Sequence, residues 1–211
     1  PFWIGSFFAF SGFILGFLYF EKFKSFYKGV QEKFGNNRNL DKETKKVLLL
    51  NFVNFFAIGG VFFLFPKLAT KIGYSSTKIS NILSFLFLVR FLMFFVFSKI
   101  NLKINEKNFF FSYLFVFITL ILTGFVKSTF LHTIFISFLG ISSAYSYKLG
   151  LFTVIKKGYS TEINESIIGI GLFSGPLIVG TLSQFFGIYN GFVLSGFLII
   201  LFFLLHKYLI K

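Results

Sequence analysis

Cysteine is absent from the 211 residues, so neither a disulfide nor a thiolate metal site is available to this chain. Acid is scarce: seven Asp and Glu stand against 21 Lys and Arg. Charge of both signs together reaches only 13% of residues, where a soluble domain carries about 25%. No P-loop, Gly-x-Ser-x-Gly, His-Glu-x-x-His or cluster of metal-ligating residues can be found. Those patterns mark phosphoryl transfer, acyl transfer and metal-assisted hydrolysis. The expectation is a protein that is not an enzyme and needs no cofactor.

What the sequence has in excess is apolar surface. Hydrophobic residues make up 55%, and 39 of the 211 are Phe. A water-soluble fold must cover itself with polar groups, and this chain has too few, so its solvent is lipid. A spanning helix needs about 20 mostly apolar residues. Such runs extend over Phe2–Phe20, Val47–Phe65 (closed by Pro66), Ile79–Phe97, Phe109–Val126, Thr129–Ile155, Ile163–Phe186 and Asn190–His206. Barrel strands would be about 10 residues long with alternating polarity, and these runs are longer and uniformly apolar. They therefore predict an all-α integral membrane protein of about seven transmembrane helices.

The net charge of +14 does not indicate nucleic acid, because the lysines sit in short clusters between apolar runs, where topology signals lie. Segment 21–46 holds eight Lys and Arg, 98–108 three, 148–159 three, and the tail Lys207 and Lys211. The alternate loops hold four, Lys67, Lys71, Lys78 and Lys127. By the positive-inside rule, segment 21–46 and the C-terminus are cytoplasmic in a multi-pass protein of the cell (inner or plasma) membrane. The sequence begins with Pro1 inside an apolar run, without a basic n-region, and the expectation is a fragment lacking its N-terminus.

The spans are of two kinds. The first, fourth and seventh are greasy on all faces, while the second, third, fifth and sixth carry polar and small residues at membrane depth. Polar groups are costly in lipid, so the second group is expected to face one another or a wet cavity. The order after segment 21–46 has a three-helix period, as in proteins built of repeated three-helix units.

Arg90 lies within the third run and costs about 2.5–3.5 kcal/mol at mid-span. It is either a substrate or gating partner, or a side chain snorkelling to the interface. Asn51 and Asn54 share a helix face, as do Ser142, Tyr145 and Ser146, and all five are candidates to line a substrate cavity. Glu165 opens the sixth span and is a further cavity or gating candidate. His132 reads as interfacial. In the sixth span Gly169, Gly171, Gly175, Pro176 and Gly180 form a packing and hinge pattern. Gly171 and Gly175 make a GxxxG, and Pro176 removes a helix hydrogen bond.

Glu165-x3-Gly169-x-Gly171-x3-Gly175-Pro176-x3-Gly180, followed by Phe186-Gly187, resembles the eleventh helix of the major facilitator superfamily. The stretch from Phe65-Pro66 through Gly73-Tyr74-Ser75 to Arg90 resembles the end of that family's seventh helix, the following loop and its eighth helix. Segment 21–46 is similar in length and charge to the loop joining the family's two six-helix halves. The resemblance covers nearly the whole chain. It implies that 1–20 is the last helix of the N-terminal bundle, 21–46 the cytoplasmic central loop, and 47–211 the C-terminal six-helix bundle. The bundle's spans fall at about 47–65, 79–97, 109–126, 129–155, 163–186 and 190–206. It further implies secondary active transport of a small solute or drug by alternating access, driven by a proton or solute gradient, with the missing N-terminal half as partner. The sequence departs from the family between its eighth and ninth helices, where Ser98-Lys-Ile-Asn-Leu-Lys103 carries no Asp. The alternatives are a seven-helix receptor and a non-transporting membrane subunit. A retinal protein would need a Lys in its last helix, and 190–205 has none.

Overall fold

The computed structural model describes residues 40–100 and 104–208. The expected first span, Phe2–Phe20, and all of segment 21–46 before residue 40 lie outside the described residues. The described residues form six α-helices: α1 (Lys42–Lys71), α2 (Ser76–Lys99), α3 (Glu106–Phe125), α4 (Thr129–Lys156), α5 (Thr161–Phe186) and α6 (Ile188–Tyr208). All six are long and apolar enough to cross a membrane, as in a multi-pass membrane protein.

Each helix coincides with one apolar run, and α1, α2 and α6 overshoot theirs at both ends, while α3 stops at Phe125, one residue short of its run. Asp41 accepts from Thr44 N at 3.2 Å and so starts α1 five residues before the apolar run. Ser75, Asn105 and Ser160 cap α2, α3 and α5 in the same way. Pro66 does not close α1, as the run suggested. The helix continues to Lys71, and the buried Leu68 and Ala69 hold its last turns against the core. Likewise α5 is helical through Pro176. At Gly187, φ is +85° and ψ 153°, a backbone region closed to residues with a Cβ, which lets α6 start at the next residue.

The most extensive packing is between α1 and α5, followed by α2 with α4 and α3 with α6. Helix α1 is the central element and the most buried, while α2 and α5 are the least buried. The polar helices pair with one another, α1 on α5 and α2 on α4, yet two of the four keep an open side. The polar α2 and α5 flank the bundle, and Asn81, Ser84, Glu165 and Gln184 on them are exposed. The greasy α3 and α6 are more buried than either.

Helices α1 and α5 approach through glycines on both sides. A Cβ at Gly171 would lie 2.7 Å from Phe52 O, and one at Gly60 would lie 2.8 Å from Val179. The carbonyl of Leu172 is four residues before Pro176, which has no N–H to offer it. It faces Gly59, where a Cβ would come within 2.5 Å. The proline thus frees a carbonyl at a close approach of α1.

At the opposite end of α1, charged residues tie the helix ends together. Lys157, just past α4, pairs with Asp41 and with Glu43, while Tyr159 OH accepts from Asp41 N at 3.1 Å. Lys46 pairs with Glu106 at 3.2 Å, and His206 Nε2 lies 3.5 Å from the same carboxylate. Burial pushes the Asp41 pKa up, but hydrogen bonds from Lys157 and Thr44 outweigh it and hold the carboxyl below its ordinary value. Burial pushes Lys157 down, but Asp41 and Glu43 hold it above its ordinary value. The Asp41 contribution is therefore present above the ordinary carboxylate pKa and lost as acid protonates it. The Lys157 contribution is complete below its unfolded pKa and lost as alkali deprotonates it. Lys157→Ala is expected to lower the thermal midpoint slightly at neutral pH, since the pairs are partly exposed. Its midpoint should converge with that of the natural protein at both pH extremes, as followed by scanning fluorimetry in detergent.

Candidate functional site

Arg90 stands between three helices. The α2–α4 crossing is close because residue 140 is Gly: a Cβ there would meet Leu86 O at 2.7 Å and Arg90 N at 3.1 Å. From this crossing the half-buried guanidinium lies 4.9 Å from the ring centre of Phe55 on α1 and 5.9 Å from that of Tyr147 on α4. Both are cation–π distances. Arg90 and Tyr147 are each within electrostatic reach of Glu165 on α5, although Glu165 is beyond ion-pairing distance of Arg90.

Glu165 is in turn joined to α1. Asn164 Nδ2 donates to Glu165 Oε1 at 3.3 Å, and Asn51 Nδ2 donates to Asn164 Oδ1 at 2.7 Å. Asn51 and Asn164 are fully buried. Hydrogen bonds thus join Asn51, Asn164 and Glu165 across α1 and α5, and Tyr147 of α4 and Arg90 of α2 lie within electrostatic reach of that carboxylate. Gly150 of α4 makes room for the Asn51–Asn164 bond, since a Cβ there would fall 2.0 Å from Asn51 Nδ2 and 2.5 Å from Asn164 Oδ1. Gly150→Ala is expected to part the two amides and lower stability by about 2–3 kcal/mol, combining overpacking with a broken buried hydrogen bond. Unfolding of the purified variant in mixed micelles measures this.

The other candidates are placed differently. Asn54 does not join its neighbour Asn51: Ser142 Oγ donates to Asn54 Oδ1 at 2.5 Å, and Asn54 Nδ2 donates to Leu50 O at 2.9 Å and to Ser112 Oγ at 3.3 Å. Ser112 and Ser142 are also hydrogen-bonded to each other. This buried network fastens α1, α3 and α4, and its bonds are satisfied within the bundle. Ser146 is buried and donates to Ser143 O of its own helix at 3.3 Å. Tyr145 and Ser142 line a cavity of about 190 Å³, with Phe97, Asn108, Phe111 and Ser112 among the other walls. That cavity lies between α2, α3 and α4, away from Arg90's side chain. The buried Tyr145 hydroxyl has no hydrogen-bond partner of good geometry. His132, in the first turn of α4, is fully buried among neighbouring helices, and its Nδ1 lies 3.0 Å from Tyr74 OH.

Among the glycines, Gly171 and Gly175 sit at the α1 contact. Gly169 has nothing within 4 Å of a Cβ, and Gly180 has only Leu64 at 4.0 Å. The sequence pattern passes over Asn164 and Tyr147, which link the candidate residues. Each reads there as one more polar residue at a span's end, and their partners are remote in the chain. Comparison with protein-family models, with curated proteins and with solved structures yields no match to this chain.

Proposed function

We propose that this chain is the C-terminal part of a secondary active transporter, which moves a small solute or drug across a cell membrane by alternating access. The observation that carries the reading is the polar cluster from Asn51 to Arg90 on four helices. Polar and charged groups at membrane depth are costly, and they characteristically mark substrate and ion pathways. The Arg90 guanidinium lies against aromatic rings of α1 and α4, within the bundle.

Helix pairing supports the same reading. Exchanging the first three helices with the last three turns the α1–α5 pair into the α4–α2 pair and leaves α3–α6 unchanged. Those three pairs are the most extensive in the bundle, the arrangement of two three-helix repeats. In this proposal the uncovered face of α2 and α5 meets the N-terminal half of the same protein. The substrate binds between them, segment 21–46 and the C-terminus are cytoplasmic, and a proton or solute gradient supplies the energy. Proteoliposomes of the full-length protein, given labelled sugars, amino acids, organic anions and cationic drugs, test the function. Accumulation of a compound that collapses with the gradient is the expected result. Passive equilibration of every compound would favour a receptor or a non-transporting subunit.

A further inference from the structure

At the end of the bundle opposite the Asp41–Lys157 pair, a cavity of about 590 Å³ opens between the last turns of α1 and the α5–α6 turn. Lys67, Thr70, Lys71, Ser183, Gly187 and Ile188 line it. Its volume is within the range of small-ligand sites, about 300–1,000 Å³. We propose that this cavity is a binding site for a phosphate-bearing ligand, independent of the transport reading.

Several observations converge on an anion. Lys67 and Lys71 are four apart and so share one face of α1. Lys71 is drawn to the start of α6, with its ammonium 5.2 Å from the Tyr189 ring centre. Neither lysine has a carboxylate partner among the described residues. The described carboxylates, Asp41, Glu43, Glu106, Glu162 and Glu165, all belong to the starts of α1, α3 and α5, at the other end of the bundle.

The wall at Gly187 and Ile188 is the N-terminus of α6. The first ladder bond there is Gly191 N to Gly187 O, so the N–H groups of Ile188, Tyr189 and Asn190 precede the helical ladder and carry the positive end of its dipole. Two ammonium groups and a helix N-terminus suit a group with several anionic oxygens, as phosphate has. Such a group comes either from the headgroup of an anionic phospholipid or from a soluble phosphate ester.

The experiment uses the full-length protein in nanodiscs and reads its thermal midpoint. One arm compares phosphatidylcholine discs with and without phosphatidylglycerol. The other titrates glycerol 1-phosphate against phosphatidylcholine discs. At least one probe should raise the midpoint, and the arm that responds names the source. The K67Q/K71Q variant should bind that probe at least about tenfold more weakly, since both ammonium groups that meet the phosphate are removed. K78Q, which removes an exposed lysine at the same end but outside the cavity, should keep the full shift. No shift with either probe, an undiminished shift in K67Q/K71Q, or an equal loss in K78Q would overturn the proposal.

Discussion

Gly175→Leu is expected to abolish the native bundle. A Cβ at residue 175 would lie 2.1 Å from Phe56 O and 2.7 Å from Gly60 N. Both atoms are backbone of α1 and cannot swing aside as a side-chain tip would. Relief requires parting α1 from α5, the largest helix–helix contact in the described residues. Lipid offers no hydrophobic driving force to hold two helices together, so association rests on close packing. Alanine at this position should cost about 2–3 kcal/mol, and leucine more than about 4 kcal/mol, beyond the usual range for one substitution. Gly169→Leu provides the control, since nothing stands within 4 Å of its Cβ. Size-exclusion profiles and thermal midpoints in detergent should show G169L close to the natural protein and G175L aggregated. Equal behaviour of the two would mean that the α1–α5 crossing is not as described.

Arg90→Ala is expected to have the opposite profile, with stability kept and transport lost. Removing a charge whose insertion costs about 2.5–3.5 kcal/mol at mid-span lightens a burden on the fold. The lost cation–π contacts with Phe55 and Tyr147 return only about 1–2 kcal/mol of that. The thermal midpoint should hold or rise. Uptake should fall at least about tenfold, which corresponds to about 1.4 kcal/mol of lost interaction. Arg90→Lys should recover part of it, since it restores charge without the planar guanidinium that stacks on rings. Glu165→Gln should also reduce uptake, less severely, because its amide still accepts from Asn164. Undiminished uptake by the alanine variant would reduce Arg90 to a topology residue.

The six described helices were legible because hydrophobic run length is a local property of the sequence. Their ends were less so. Asp41 extends α1 beyond its apolar run by capping it, and Pro66 sits inside the helix because the residues after it still have a core to enter. Burial was legible in part. The polar spans were expected to face one another or a wet cavity, and α1 packs on α5 and α2 on α4, but the open sides of α2 and α5 could not be read, since exposure depends on which neighbours are present and not on a helix's own residues. Asn51 and Asn54 show the same limit within one turn. At a spacing of three they share a face, but one bonds Asn164 of α5 and the other Ser142 and Ser112 of α4 and α3. Their partners are 58 to 113 residues away in sequence. The glycine pattern was legible as packing, and the two members that touch α1, Gly171 and Gly175, are the GxxxG pair.

Whether the α2 face beside Arg90 is lined by water tests the transport reading most directly. The absence of cysteine from these residues allows single cysteines to be placed at will. Phe87 is one turn before Arg90 on α2, 43% exposed, with its ring 5.8 Å from Phe62 of α1. Phe197 lies mid-span on α6 and is 51% exposed, toward lipid. A membrane-impermeant maleimide should label Phe87→Cys in intact membranes of the full-length protein, and label it less when substrate is present, while leaving Phe197→Cys unmodified. Phe87→Cys as inert as Phe197→Cys would place that face in lipid and contradict a transport pathway along it.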